Sequence, residues 1–178
     1  MLSRGFTLIE LMITIAIAAI LLTVGVPSFG DFVVNSRIAT DSSNLAADLA
    51  FARSEAVKRA QRVTVCQRMP GQGNQNCGNA GWAFGRVIFT DGGTPGAIDG
   101  TDEPLRVRED IGTGNTLTSA GFANATFIEY TSLGGVNLAG GATAGSLILA
   151  RTGYTGRNIC INSSGRMRYH QTTNCALP

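Results

Sequence analysis

The sequence predicts an α+β fold: one long N-terminal helix packed against a C-terminal antiparallel β-sheet or β-sandwich head. Three observations point to it. Residues 6–26 form an apolar run carrying one formal charge, Glu10, and no proline until Pro27. Residues 27–61 keep a helical spacing of apolar positions. Beyond them, short β-branched segments alternate with turns that take up most of the chain's 23 glycines.

Residues 1–5, MLSRG, are a short basic leader. A secretory signal places its small-residue cleavage site after the apolar stretch. Here the processing signal, Gly5, lies before it, so cleavage leaves the apolar helix on the mature chain. Residues 6–26 are about as long as a membrane span of ~20 residues. Arg4 is the only basic residue before Arg37, which keeps the leader in the cytoplasm and sends the rest out. A lone carboxylate inside a bilayer costs roughly 2.5–3.5 kcal/mol on insertion scales, so Glu10 calls for a partner.

The string GFTLIELM resembles the class III leader of type IV pilins and type II secretion pseudopilins. The resemblance implies cleavage between Gly5 and Phe6 by a prepilin peptidase and N-methylation of the Phe6 amine. It also implies that Glu10 recruits a subunit into the filament by meeting the Phe6 amine of a neighbour. The chain is then held in the bacterial inner membrane, head in the periplasm, before entering a pilus or pseudopilus.

After Pro27, where a kink or local melting would fall, Ile38, Leu45, Leu49, Ala52 and Ala56 recur at helical spacing, with Asp41, Asn44, Asp48, Arg53, Glu55 and Lys58 between them. Read as one helix from residue 6 to about 59, this segment spans ~80 Å. Glu55 and Arg59, four apart, can pair on its exposed face. Residues 62–178 then form the globular β-domain. Strands are predicted at 62–67, 82–90 with a bulge at Gly85, 105–109, 125–131, 145–150, 157–162 and 166–170. SSG at 163–165 is the turn of the last hairpin.

The strings FARSEAVKRAQRVTVCQ, WAFGRVIFTD and SSGRMR together resemble the H-type pseudopilin and FimT/FimU minor-pilin group, closest to FimT-type minor pilins. That group joins a long N-terminal helix to a β-sandwich-like head. Other major and minor pilins or pseudopilins are the implied partners.

Net charge is only +2, which by itself predicts no nucleic-acid binding. Its distribution is uneven. All 12 acidic residues lie at or before Glu129, whereas Tyr130 to Pro178 holds Arg151, Arg157, Arg166 and Arg168 and no carboxylate. On a strand, Arg166 and Arg168 leave one face about 7 Å apart, near the phosphate spacing of a nucleic-acid strand. Arginine is the preferred fork for phosphate oxygens. Gly165 allows a backbone or a phosphate to approach closely, and Tyr169 and His170 can stack on bases. GRMR at 165–168 matches a GRxR pattern near the C-terminus of FimT-type minor pilins. The resemblance implies that Gly165, Arg166 and Arg168 contact double-stranded DNA during uptake in natural transformation, with Arg151 and Arg157 as auxiliary contacts. The rival reading is a solvated hairpin whose arginines meet acidic loops or neighbouring subunits. It fits an H-type minor pseudopilin of type II secretion, or a pilus-priming minor pilin without DNA binding.

Four cysteines in an exported domain suggest disulfides. Three pairings are possible. Cys66–Cys77 and Cys160–Cys175 are favoured, because each closes a short loop beside a predicted strand. No CxxC exists and His170 has no spaced partner, so no zinc site is expected. Asp91, Asp99, Asp102 and Glu103 do not match the spacing of a calcium loop, and a solvated acidic loop is expected there. There is no GxSxG, no phosphate loop and no nucleophile with a visible base. The expectation is a non-enzymatic chain with no catalytic residue and no cofactor.

Overall fold

The computed structural model describes residues 6–71, 76–112, 114–170 and 175, with the side chains of residues 24–28 outside that description. The leader, including Gly5, therefore lies outside the described residues. Helix α1 runs Leu8–Arg59, and its backbone stays helical through Pro27. Two compact units divide within it, Met1–Arg37 and Ile38–Pro178.

In the first unit α1 opens on a capping box. The Thr7 hydroxyl accepts from Glu10 N at 3.3 Å, and Thr7 N donates back to Glu10 Oε2 at 3.0 Å. Two orphan donors of the helix start are thereby satisfied. Phe6, Leu8, Ile9, Leu11 and Met12 are exposed. Among the described residues no helix is long and apolar enough to cross a membrane; the described apolar side chains of this run end at Thr23.

In the second unit, two four-stranded antiparallel sheets follow the helix. Strands β1 (Val63–Gln67), β2 (Arg86–Thr90), β3 (Pro104–Arg108) and β5 (Phe127–Tyr130) form the first, in the order β3-β2-β1-β5. Strands β4 (Asn115–Ala120), β6 (Ala144–Arg151), β7 (Tyr154–Asn162) and β8 (Met167–His170) form the second, in the order β4-β6-β7-β8. This is the expected α+β class. The core is built from the α1 stripe Ile38, Leu45, Leu49, Ala52 and Ala56 together with Val63, Val65, Ile88, Ile128, Leu147, Leu149, Ile159 and Ile161. Residues opposite one another in antiparallel register share a face. Thus Val65, Ile88 and Ile128 lie on one side of the first sheet, while Cys66, Val87 and Phe127 lie on the other. There they pack with Phe89, Cys77, Ile98 and Val107 as a second small cluster.

The structure departs from the sequence reading in four places. Trp82–Phe84 is a 3-10 turn rather than the start of a strand. Gly85, at φ 106, ends it. A Cβ there would collide with the Arg108 carbonyl, so the approach of β3 selects glycine. Trp82 goes inward, its Nε1 donating to Ser119 Oγ at 3.0 Å and to Ala125 O at 3.1 Å. Second, β4 has no strong sequence signal: NTLTSA holds one buried leucine on an otherwise polar edge strand.

Third, Asp48, named only among the polar residues between the stripe positions, is fully buried. Its carboxylate accepts from Arg86 Nε at 2.8 Å and from Arg86 Nη2, from Arg106 Nη1 at 2.9 Å and from Arg108 Nε at 3.1 Å. Register puts Arg86, Arg106 and Arg108 on one face of β2–β3, so three guanidinium groups converge on one acid. Fourth, the acidic loop is not merely solvated. Asp91 is buried and accepts from Thr64 Oγ1 and Gly96 N, both at 2.8 Å, and from Arg62 Nη2 at 3.2 Å. Asp102 accepts from Gly92 N, and Asp99 from Thr94 N. These carboxylates cap the loop's own donors, and no group of metal-ligating side chains occurs among the described residues.

Candidate nucleic-acid interface

The β7–β8 hairpin turns through Asn162–Gly165. Gly165 N donates to Asn162 O at 2.8 Å and Asn162 N to Arg166 O at 3.1 Å. The Asn162 side chain accepts from Ser164 Oγ at 2.8 Å and Arg166 N at 2.9 Å, an Asx-type closure of the turn. Gly165 is buried at φ 74. A Cβ on it would strike the Gly134 carbonyl. The close approach anticipated at Gly165 is thus made by the backbone of the 131–136 loop. Val136 N donates to Ser163 O at 2.9 Å across the same contact.

One side chain of α1 joins these two loops. Arg53 donates from Nε to Gly134 O at 3.1 Å and from Nη2 to Ser164 O at 3.0 Å. The sequence reading placed Arg53 among the polar residues of the helix and in a family-like string, but assigned it nothing. Two carbonyls from loops 81 and 111 residues away in sequence leave no local pattern to read.

Strand β8 continues from this turn as the edge of the second sheet. Arg168 stands opposite Cys160, and Met167 opposite Ile161. Alternation puts Arg168 and His170 on one face and Met167 and Tyr169 on the other, and Arg166 directly precedes the strand. Arg166 and Arg168 are exposed, and among the described residues neither has an ion-pair partner. Tyr169 is 59% exposed and His170 is half-buried. Disulfide Cys160–Cys175 lies in the strand beside Arg168, and Cys66–Cys77 ties β1 to the loop ahead of β2.

The two auxiliary arginines are not brought to this pair. Arg157 stands opposite Leu149, and its three-residue offset from Cys160 puts it on the other face from Arg168. Arg151 pairs in register with Asn115 and Tyr154 at the far end of β6. Seven strand residues separate it from the Asn162 end, about 23 Å, and its guanidinium sits 6.0 Å from the Tyr154 ring. Of the five candidate residues the structure thus brings together Gly165, Arg166 and Arg168, with His170 on the face of Arg168 and Tyr169 on the other.

At the other end of the chain, Glu10 Oε2 is also bonded by the Thr7 hydroxyl at 2.9 Å, and Phe6 is 84% exposed.

Comparison with known proteins places the chain in a family. Residues 1–26 match the prokaryotic N-terminal methylation motif, and residues 41–165 match the family described as type II transport protein GspH. The chain is 32% identical over 130 residues to the fimbrial protein EcpC of Eikenella corrodens, covering 68% of this chain and 76% of that protein. Its fold is similar to two crystal structures of the type IV minor pilin FimU of Pseudomonas aeruginosa. One aligns with a TM-score of 0.57 at 20% identity over 78% of this chain and 92% of FimU. The other aligns with a TM-score of 0.53 at 21% identity over 74% and 91%. The chain belongs to the GspH family of pilin-like and pseudopilin-like subunits, filament-associated proteins that carry the N-terminal methylation motif.

Proposed function

We propose that this chain is a minor pilin of a type IV pilus whose head binds double-stranded DNA through Arg166 and Arg168 in natural transformation. Prepilin peptidase removes residues 1–5, the segment 6–26 anchors the chain in the inner membrane, and that segment then enters the filament with Glu10 guiding the docking. The observation that carries the DNA reading is the pair of exposed arginines, two residues apart where an edge strand begins, in a segment free of carboxylates. An arginine fork on a phosphate gives affinity without base readout, which suits capture of DNA of any sequence. The curated relative's name, fimbrial protein, favours a pilus.

The match to type II transport protein GspH favours the second reading, a minor pseudopilin of protein secretion with no DNA ligand. Fluorescence anisotropy of a labelled duplex with the full chain in non-ionic detergent, over a salt series, separates the two. With two phosphate contacts, Arg166→Gln plus Arg168→Gln is expected to weaken binding at least tenfold. It should also flatten the slope of log K against log salt by about 1.8. Unchanged affinity in the double variant removes the assignment of the site to Arg166 and Arg168, whereas no duplex binding by the native chain removes the DNA reading and leaves the secretion reading.

A further inference from the structure

We infer that Arg53 is the positioning residue of the DNA interface, fixing the aim of Arg166 and Arg168 through the two carbonyls it holds; this rests on the DNA reading above. The turn's own hydrogen bonds, Gly165 N to Asn162 O and Arg166 N to Asn162 Oδ1, set its internal shape. They do not tie it to the rest of the head. That tie consists of Val136 N to Ser163 O, the packing of Gly165 on the Gly134 carbonyl, and the Arg53 fork. Of these, only the fork reaches from α1, and it grips both loops at once.

The chemistry requires an arginine. The Gly134 and Ser164 carbonyls belong to different loops, and the planar guanidinium offers Nε and Nη2 donors at a fixed angle to both. A lysine carries the same charge as a compact point and lacks this rigid pair of donors. Bonds from a charged donor are roughly twice as strong as neutral ones. Arg53 also stands one residue past Ala52 and three before Ala56, which are buried in the core stripe. Its backbone is therefore anchored, and any slack at the turn arises from the side chain alone.

An edge strand makes this tie consequential. β8 pairs with β7 on one side only, so its first residues are held by the turn more than by the sheet. If the turn loosens, Arg166 and Arg168 sample many directions, and their ordering cost is met on binding.

The test uses the full chain in non-ionic detergent with Arg53→Met, Arg53→Gln and Arg53→Lys, each alone and combined with Arg166→Gln/Arg168→Gln. The expected result is a three- to tenfold loss of duplex affinity in each single variant, Lys included. No further loss is expected in the double-arginine background, because a residue acting through others is non-additive with them. In parallel, hydrogen exchange at the Val136 and Arg166 amides should speed at least fivefold while β1 amides stay unchanged. Full affinity in Arg53→Lys would show that only charge matters and would overturn the inference. So would an additive loss in the double-arginine background, which marks a direct or field contact, and so would unaltered exchange at Val136 and Arg166. Should Arg53→Met fail to fold, the Gln and Lys variants carry the same comparison. If Arg166→Gln/Arg168→Gln alone leaves affinity unchanged, it is the assignment of the DNA site to this pair that falls; the exchange measurement still decides whether Arg53 sets the turn.

Discussion

Asp48 supports a sharp stability prediction. Its side chain is inaccessible, and it faces Arg86 at 3% exposure, Arg106 at 32% and Arg108 at 43%. Burial pulls the Arg86 guanidinium below its ordinary pKa, and the Asp48 charge opposes that pull. Arg106 and Arg108 reach water and lose little without a partner, since exposed pairs contribute about 0–1 kcal/mol. Arg86 has no such outlet. Removing one partner of a buried pair costs about 3–5 kcal/mol, because a buried charge is left uncompensated.

Asp48→Asn keeps the shape and one acceptor, so its cost reports the charge. Urea unfolding of residues 30–178, which hold the whole second unit, is the assay. With a slope near 2 kcal/mol per molar urea, the midpoint should fall by about 1.5–2.5 M. Replacing the pair by apolar groups, Asp48→Leu with Arg86→Met, should cost less than either change alone. A midpoint shift under about 0.5 M for Asp48→Asn would refute the reasoning, because it would mean that water already screens Arg86. A double variant as unstable as the sum of the singles would refute it equally.

Two more outcomes follow from individual groups. Tyr130 is fully buried, its hydroxyl has no hydrogen-bond partner among the described residues, and burial pushes its pKa up. Tyr130→Phe is therefore expected to be neutral or to stabilise by about 1 kcal/mol, and alkaline absorbance titration should show one tyrosine ionising only on unfolding. Glu55 accepts from Arg59 Nε at 2.8 Å, and this bond holds its carboxyl below the usual 4.5. A depressed carboxylate contributes stability that is full above the unfolded pKa and lost as pH falls through the folded one. Its contribution should thus vanish only on acidification below about pH 4.5, and Arg59→Ala should move the Glu55 titration back toward 4.5 by NMR.

Much of the fold was legible because it rests on local signals. The α1 stripe is a 3.6-residue spacing of Ile38, Leu45, Leu49, Ala52 and Ala56, and three of the five residues of β1, Val63, Thr64 and Val65, are β-branched. The hairpin of β7 and β8 shows in the SSG turn. What failed was context. WAF has the aromatic content of a strand, yet the packing of Trp82 against Ser119 and Ala125 bends it into a 3-10 turn. NTLTSA carries no strand pattern, yet β6 offers it a ladder. Asp91 reads as a solvated charge, and Asp48 and Arg53 carry no signal at all, since a formal charge in a sequence says nothing about the partner that buries it.

The sequence by itself determined the class of this protein. A charge in an apolar run behind Gly5, a helical stripe and alternating strands are short-range patterns, and each survives in any arrangement of the rest. It also named Gly165, Arg166 and Arg168. Only the tertiary structure decided how these residues are placed and held. It separated Arg151 and Arg157 from the pair through strand register and sheet face. It showed that glycine at 165 serves a backbone contact with Gly134, and that Arg53 of the helix holds that contact. Register, burial and long-range pairing come from which elements meet, and that follows from packing the whole chain.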